Sequence, residues 1–283
     1  MTYRLALSTY SFHRFGTGPE GKEAPTIFEM VDRCAEHGVE GIEILGYHLR
    51  ELSASDLLAL RGHALRRGVE VVSVSANHNF VEPDAIARRA QIDIVARWVD
   101  AAAILGAPVV RAFGGRWTTL PWEQFMAADG IEPPLPGHSE DDGFAWSIEA
   151  FKIATYYAGR KGVTLAVENH WGLTGRAAGV LRIVDAVDSE WLRVALDTGN
   201  FPSVPDMYAE MAMIAPKAAM VHAKTYVGGG LYYAVDLDYT WIGRMLREVG
   251  YNGYVSIEHE GKALPADGIA RAVADLRAAF AAI

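Results

Sequence analysis

Residues 163–200 read VTLAVENHWGLTGRAAGVLRIVDAVDSEWLRVALDTGN. Two short apolar runs, 163–169 and 192–197, enclose a longer segment, and each run ends in polar residues. Runs of this length, rich in Val, Leu and Ala, read as buried strands, and the segment between them as a helix. The same alternation extends in both directions. Strands are expected at 3–10, 41–47, 70–77, 108–113, 163–169, 192–197, 218–224 and 253–259. Helical spacing recurs between them, for example over 25–37, 84–105, 143–161 and 267–281. Glycines at 38, 68, 106 and 162 stand just before strands, where a left-handed helix end returns the chain to the sheet. Asp84 and Ser53 are expected helix N-caps. Strands alternating with helices imply parallel pairing, and eight such units without a linker are the arithmetic of a (β/α)8 TIM barrel. An open doubly wound sheet fits less well, because no G-x-G-x-x-G follows the first strand. We therefore expect one α/β domain over 1–283, with a long lid-like insertion at about 115–142 after the fourth strand.

Composition narrows the class further. The chain has 283 residues, 51% hydrophobic and 22% charged, with a formal charge of −9. An acidic balance argues against general affinity for nucleic acid or anionic membranes. No uncharged apolar run approaches the length of a membrane span. The opening MTYRLALSTY lacks the pattern of a secretory signal, so a cytoplasmic location is expected. Cys34 is the only cysteine, which excludes an internal disulfide and any thiolate-rich metal site. A homo-oligomer, dimer or tetramer, is an open expectation without an interface motif behind it.

The C-terminal ends of barrel strands build the active face of this fold. Polar residues concentrate there: Glu168, Asn169 and His170 on the fifth strand, Asp197 and Asn200 on the sixth, His222 and Lys224 on the seventh, Glu258, His259 and Glu260 on the eighth. Six of the nine histidines (13, 48, 78, 170, 222 and 259) stand at or just past strand ends. Strand parity puts Glu168 with Ala166 and His170, His222 with Lys224, and Glu258 with Ser256 and Glu260. Ionised carboxylates facing a barrel interior need a compensating positive charge. One divalent metal held by Glu168, Asp197, His222 and Glu258 meets that need. Oxygen ligands with one imidazole favour Mn²⁺ or Mg²⁺, with Co²⁺ or Zn²⁺ as alternatives. A competing reading has these acids in structural ion pairs with Lys224, Arg111 and Arg193.

The ordered set ENH, LDTGN, VHAK and SIEHE on strands five to eight resembles the sugar phosphate isomerase/epimerase family. Its fold is the xylose isomerase-like TIM barrel of the AP endonuclease family 2 superfamily. STYSF and EGIEI near the N-terminus fit as well. Similarity to its metal-dependent ketose 3-epimerases implies that Glu168 and Glu258 are both metal ligands and the acid/base pair, with Asp197 and His222 completing the site. Two departures stand out. Asn200 occupies the place where endonuclease IV relatives carry a histidine, and TYVGGG replaces a segment in which many epimerases carry an arginine.

The expected chemistry is proton transfer through a metal-stabilised enediolate, in a sugar or sugar phosphate isomerase or epimerase. A lyase or dehydratase acting on an inosose, dehydroshikimate or 3-oxo-sugar is the alternative, since the same enediolate can expel a β-hydroxyl. An AP endonuclease and a non-catalytic sugar-binding barrel rank below both. Lys224 is expected to assist catalysis by stabilising the enediolate or holding Glu258. His170, His78, Asn200, Arg111 and Trp117 are expected to touch the sugar. Gly228, Gly229 and Gly230 could cradle a phosphate or serve only as a tether.

Overall fold

The structure is a computed structural model that describes residues 3–13, 25–201 and 206–283. Eight parallel strands close into a barrel in sequence order: β1 (Arg4–Ser8), β2 (Gly41–Leu45), β3 (Glu70–Ser75), β4 (Val109–Phe113), β5 (Thr164–Glu168), β6 (Leu192–Asp197), β7 (Ala218–Thr225) and β8 (Tyr254–His259). The ring closes where Leu5 of β1 pairs with Val255 of β8. The helices that return the chain include α1 (Tyr10–His13), α2 (Ile27–Glu36), α3 (Ala54–Arg67), α4 (Ala85–Leu105), α5 (Trp122–Ala127), α6 (Glu140–Gly159) and α7 (Ala177–Val187), followed by α8 (Met207–Ile214), α9 (Tyr239–Glu248) and α10 (Pro265–Ala281). This is the (β/α)8 architecture that the alternation predicts. Among the described residues, no helix is long and apolar enough to cross a membrane.

Local chemistry sets the boundaries. Ser53 and Asp84 cap α3 and α4 through hydrogen bonds from the Asp56 and Ala87 amides. The sixth helix starts at Glu140, three residues earlier than its apolar spacing indicates, because Ser139 and Asp142 form a reciprocal capping box. The main apolar core lies between barrel and helices. Inside the barrel a small cluster of Val109, Ala166, Ala195 and Met220 fills the lower layer. The polar layer of the site lies above it.

The segment after β4 is ordered by its own interactions. Glu132 lies with its carboxylate inside the turn, accepting the amides of Thr118, Thr119 and Leu120 while Arg116 approaches at 3.5 Å. Phe125 of α5 is fully buried, under the Arg116 guanidinium and edge-on to Trp171. Gly130 closes the turn at φ +74, where a Cβ would come within 2.6 Å of the Trp171 ring. The long insertion therefore packs directly on the loop that follows β5.

Helix-end glycines give a clean stability test. Gly68 ends α3 at φ +71 with nothing near the position of an added Cβ. Gly68→Ala should destabilise the protein by about 1 kcal/mol through backbone strain alone. Asp188 ends α7 in the same left-handed region at φ +49. Asp188→Gly should therefore be neutral or stabilising by up to about 1 kcal/mol, and urea unfolding of both variants checks the pair.

Candidate active site

His222 organises the site. It is fully buried on β7, and both of its ring nitrogens meet carboxylates. Nε2 lies 3.0 Å from Glu43 of β2, whereas Nδ1 lies 3.2 Å from Glu168 of β5 and 3.5 Å from Asp197 of β6. Glu43 is held in turn by Ser75 and by Ser256, the latter at 2.7 Å. Asp197 is fixed by its backbone: Asn169 bonds both its amide and its carbonyl, while its Oδ1 accepts from the Gly199 and Asn200 amides.

Glu258 of β8 is fixed by Lys224. The ammonium donates to Glu258 at 2.7 Å and to Glu260 at 2.8 Å, and lies 3.4 Å from Asp197. Ser8 donates to the other Glu258 oxygen at 3.3 Å. Across the floor, Arg111 approaches Glu168 at 3.3 Å and donates to the Ala76 carbonyl. Asn200 donates to Glu168 at 3.2 Å, and Tyr233 donates to Asn200.

Protonation follows from these neighbours. In the metal-free protein, burial pushes Glu258 upward, but the Lys224 and His222 charges outweigh it and hold the carboxyl well below its usual range. Asp197 is likewise lowered: burial opposes, and Lys224 and His222 prevail. Glu168 and Glu260 are raised by burial, which Arg111 and Lys224 respectively offset only in part. Burial alone would discharge His222, yet Glu43 and Glu258 keep its pKa well above the ordinary value. His170 behaves oppositely: burial, with the Arg111 and Lys224 charges, drives it down to about 3, so it is a neutral imidazole at pH 7.

The donor set fits a divalent cation. Five buried carboxyls (Glu43, Glu168, Asp197, Glu258 and Glu260) face Arg111, Lys224 and a protonated His222, so with all of them ionised two negative charges are in excess, and burial raises Glu168 and Glu260 accordingly. Glu168 Oε2 and Asp197 Oδ2 are buried and make no hydrogen bond, met only by the charges of Arg111 at 3.3 Å and Lys224 at 3.4 Å respectively. Ligand atoms of Glu168, Asp197 and His222 lie within 4.8 Å of one another, as do those of Glu43, His222 and Glu258. The four residues expected to share one ion, with Glu43 as a fifth that was not expected as a ligand, thus form two triads joined at His222. The signal for Glu43 was available: an acid in EGIEI, flanked by Ile42 and Ile44 on a strand whose neighbours are otherwise apolar.

A cavity of about 580 Å³ opens over this floor. Of the expected substrate contacts, His170, His78, Asn200 and Arg111 line it, together with Glu168, Lys224 and Glu258. Trp117 does not. It is buried within the segment after β4, stacked on His138 and edge-on to Trp146 of α6, with its ring against Gly143. The tryptophans that face the cavity are Trp122 and Trp171. The ion-pair reading is met in part by Lys224 and Arg111, while Arg193 bonds the Pro216 carbonyl at the barrel's other end. The Gly229 amide is used in a turn with the Tyr226 carbonyl, so it is not offered to a phosphate.

The description "xylose isomerase-like TIM barrel" names the family whose profile matches residues 31–279. The chain belongs to this family. Its barrel is similar to that of the 3-keto-D-glucoside 4-epimerase of E. coli, with a TM-score of 0.76 at 18% identity over 98% of this chain and 99% of the other. The D-psicose 3-epimerase of Clostridium cellulolyticum H10, solved with D-tagatose, gives 0.74 at 14% identity over 99% and 97%. A xylose isomerase-like protein from Mycobacterium smegmatis, solved in complex with magnesium, gives 0.72 at 20% identity over 99% and 97%. At these identities the likeness is one of fold.

Lys224 is the cation on which the β8 side of the site relies. Lys224→Met removes the cation that Glu258, Glu260 and Asp197 share and should destabilise the metal-free protein by about 3 kcal/mol or more at pH 7. Glu258 would then keep only the His222 and Arg111 charges against the effect of burial, and its pKa would rise. The stability it contributes above pH 4.5 in the wild type therefore shrinks in the variant. Chemical denaturation at pH 5 and pH 8 should show the variant's deficit growing with pH.

Proposed function

We propose that this protein is a divalent-metal-dependent sugar or sugar phosphate isomerase or epimerase that works by proton transfer through an enediolate. The observation that carries the reading is the placement of Glu168 and Glu258. They come from β5 and β8, line the same cavity, and converge on His222 from different sides. A bound divalent ion, Mn²⁺ or Mg²⁺ by ligand type, would supply the charge that polarises a substrate carbonyl. Glu168, Asp197, His222 and Glu258 would hold it. Glu43 would accept the hydrogen bond of His222 Nε2–H and leave Nδ1 free for the ion.

The remaining steps belong to the side chains. One glutamate removes a proton from the carbon next to the carbonyl, and the other returns one to the opposite face or the neighbouring carbon. Asn200 and Arg111 hold Glu168 from one side, so its carboxylate presents a fixed edge to the cavity. Lys224 does the same for Glu258 and keeps it ionised. His170 and His78 face the cavity as neutral imidazoles, suited to hydrogen-bonding sugar hydroxyls. The sugar is carbohydrate by the cavity's mixture of acids, imidazoles and rings, and the ligand set argues against a three-metal nuclease centre because Asn200 stands where a histidine would be needed.

Incubation of the metal-loaded enzyme with ketoses in D₂O tests the reaction. Deuterium should enter next to the carbonyl without loss of water, and Glu168→Gln or Glu258→Gln should reduce the exchange by about 10³-fold or more. A stoichiometric dehydrated product would instead assign a lyase. Elemental analysis of protein purified without chelator should find about one divalent ion per chain, lost in His222→Ala. Because His222 carries a proton in the metal-free protein, binding must displace it. Divalent affinity should rise with pH, and calorimetry in buffers of different ionisation enthalpy should detect the released proton.

A further inference from the structure

The cavity exceeds what one sugar ring fills. Its volume of about 580 Å³ is several times the roughly 200 Å³ that a hexose occupies at close-packed density. Its chemistry is also divided. Glu168, His170, Asn200, Lys224 and Glu258 form a polar floor, while the mouth carries rings from three separate loops. Trp122 comes from α5 in the lid, Trp171 follows β5, and Tyr232 follows β7. Trp122 and Trp171 have ring centroids 5.0 Å apart, and Tyr232 stands edge-on to Trp122 at 6.5 Å. Trp122 is 46% exposed and Tyr232 51%, so this aromatic wall is open to solvent although it continues into the cavity.

The wall is fixed in advance. Phe125, one turn beyond Trp122, is buried against Trp171 and Arg116, which anchors the lid helix. Several polar groups nearby are already engaged: Arg116 Nε with Glu132 and Nη2 with the Leu120 carbonyl, the Thr118 amide with Glu132, and Asn79, after β3, with the Arg116 and Val81 carbonyls; Arg116 Nη1 has no hydrogen-bond partner. Arg50 follows β2, on the opposite side of the ring of strands from β6. A second pyranose would bring several hydroxyls, each needing a partner, whereas the three rings, from three loops, offer a flat apolar ring the stacking that is all it needs.

We propose that the cavity mouth is a second subsite that stacks an aryl group joined through a glycosidic oxygen to the sugar held at the floor. The substrate is then an aryl glycoside whose sugar ring carries the ketone that the enediolate requires, rather than a free monosaccharide. Simple glucosides serve as binding probes. This rests on the carbohydrate reading of the floor, and the experiment separates the two. Titration calorimetry compares methyl β-D-glucoside, phenyl β-D-glucoside and cellobiose on the metal-loaded protein. Phenyl should bind about 10-fold or more tighter than methyl. Trp122→Ala and Tyr232→Ala should each remove most of that ratio, and both positions are exposed enough for the variants to fold. Equal binding of the two glucosides, or a ratio that survives both substitutions, overturns the proposal. A gain for cellobiose in place of phenyl also overturns it, assigning the mouth to a second sugar. If no glycoside binds, the carbohydrate reading of the floor fails, and 4-nitrophenol alone still judges the mouth. Its ligand-observed NMR contact should be present in the wild type and lost in Trp122→Ala; absence in the wild type overturns the subsite.

Discussion

The contact between His222 Nε2 and Glu43 carries the rest of the site. It joins β7 to β2 across the barrel interior, between residues 179 apart in sequence, and neither side chain is exposed. A buried imidazole must satisfy two nitrogens at once. With Glu43 on one side, the other nitrogen turns towards Glu168 and Asp197, and those acids can share a small volume only because positive charge stands among them. Ser75 and Ser256 then serve to hold Glu43, and Asn169 serves to hold Asp197. The site is a chain of such dependencies around one ring.

That concentration of charge is tolerable because it is divided. Lys224 takes the acids of β6 and β8, and Arg111 takes Glu168. The carboxylates therefore differ in character although they are neighbours: Glu258 is driven towards its ionised form and Glu168 away from it. With every acid ionised the cluster would carry a negative excess of two, and Glu168 Oε2 and Asp197 Oδ2 make no hydrogen bond, so a divalent ion would meet both needs. The lid follows a related logic on the surface, where the single buried carboxylate of Glu132 gathers three successive amides and so orders a long connection.

Much of this was legible in the linear chain, for identifiable reasons. Strands β5 to β8 announce themselves because each is an apolar run ending in acids or imidazoles, and period-two alternation says which of those face inward. The C-terminal glycines of α3 and α4 mark helix ends because only glycine takes that backbone conformation without strain. Glu43 was harder to see. Its strand carries one acid and no histidine, and its importance appears only when β2 faces β7. Trp117 misled for the opposite reason: a tryptophan in a lid after β4 is a natural sugar platform, but packing against Trp146 and Gly143 turned it inward and left Trp122 at the mouth. Register shifts at Ile42/Glu43 and Val194/Ala195, just before two of the site's acids, are likewise invisible to a counting of alternate residues.

The sequence by itself determined the barrel, the order of its strands and the acidic character of its C-terminal face. These follow from local periodicity and helix-end chemistry, which depend on neighbours a few residues apart. Tertiary structure alone decided which acid meets which nitrogen, that Glu43 joins the four expected ligands in two triads around His222, and which tryptophans border the cavity. Those outcomes depend on distances across the barrel and on the packing of a long connection, set by contacts between residues far apart in the chain.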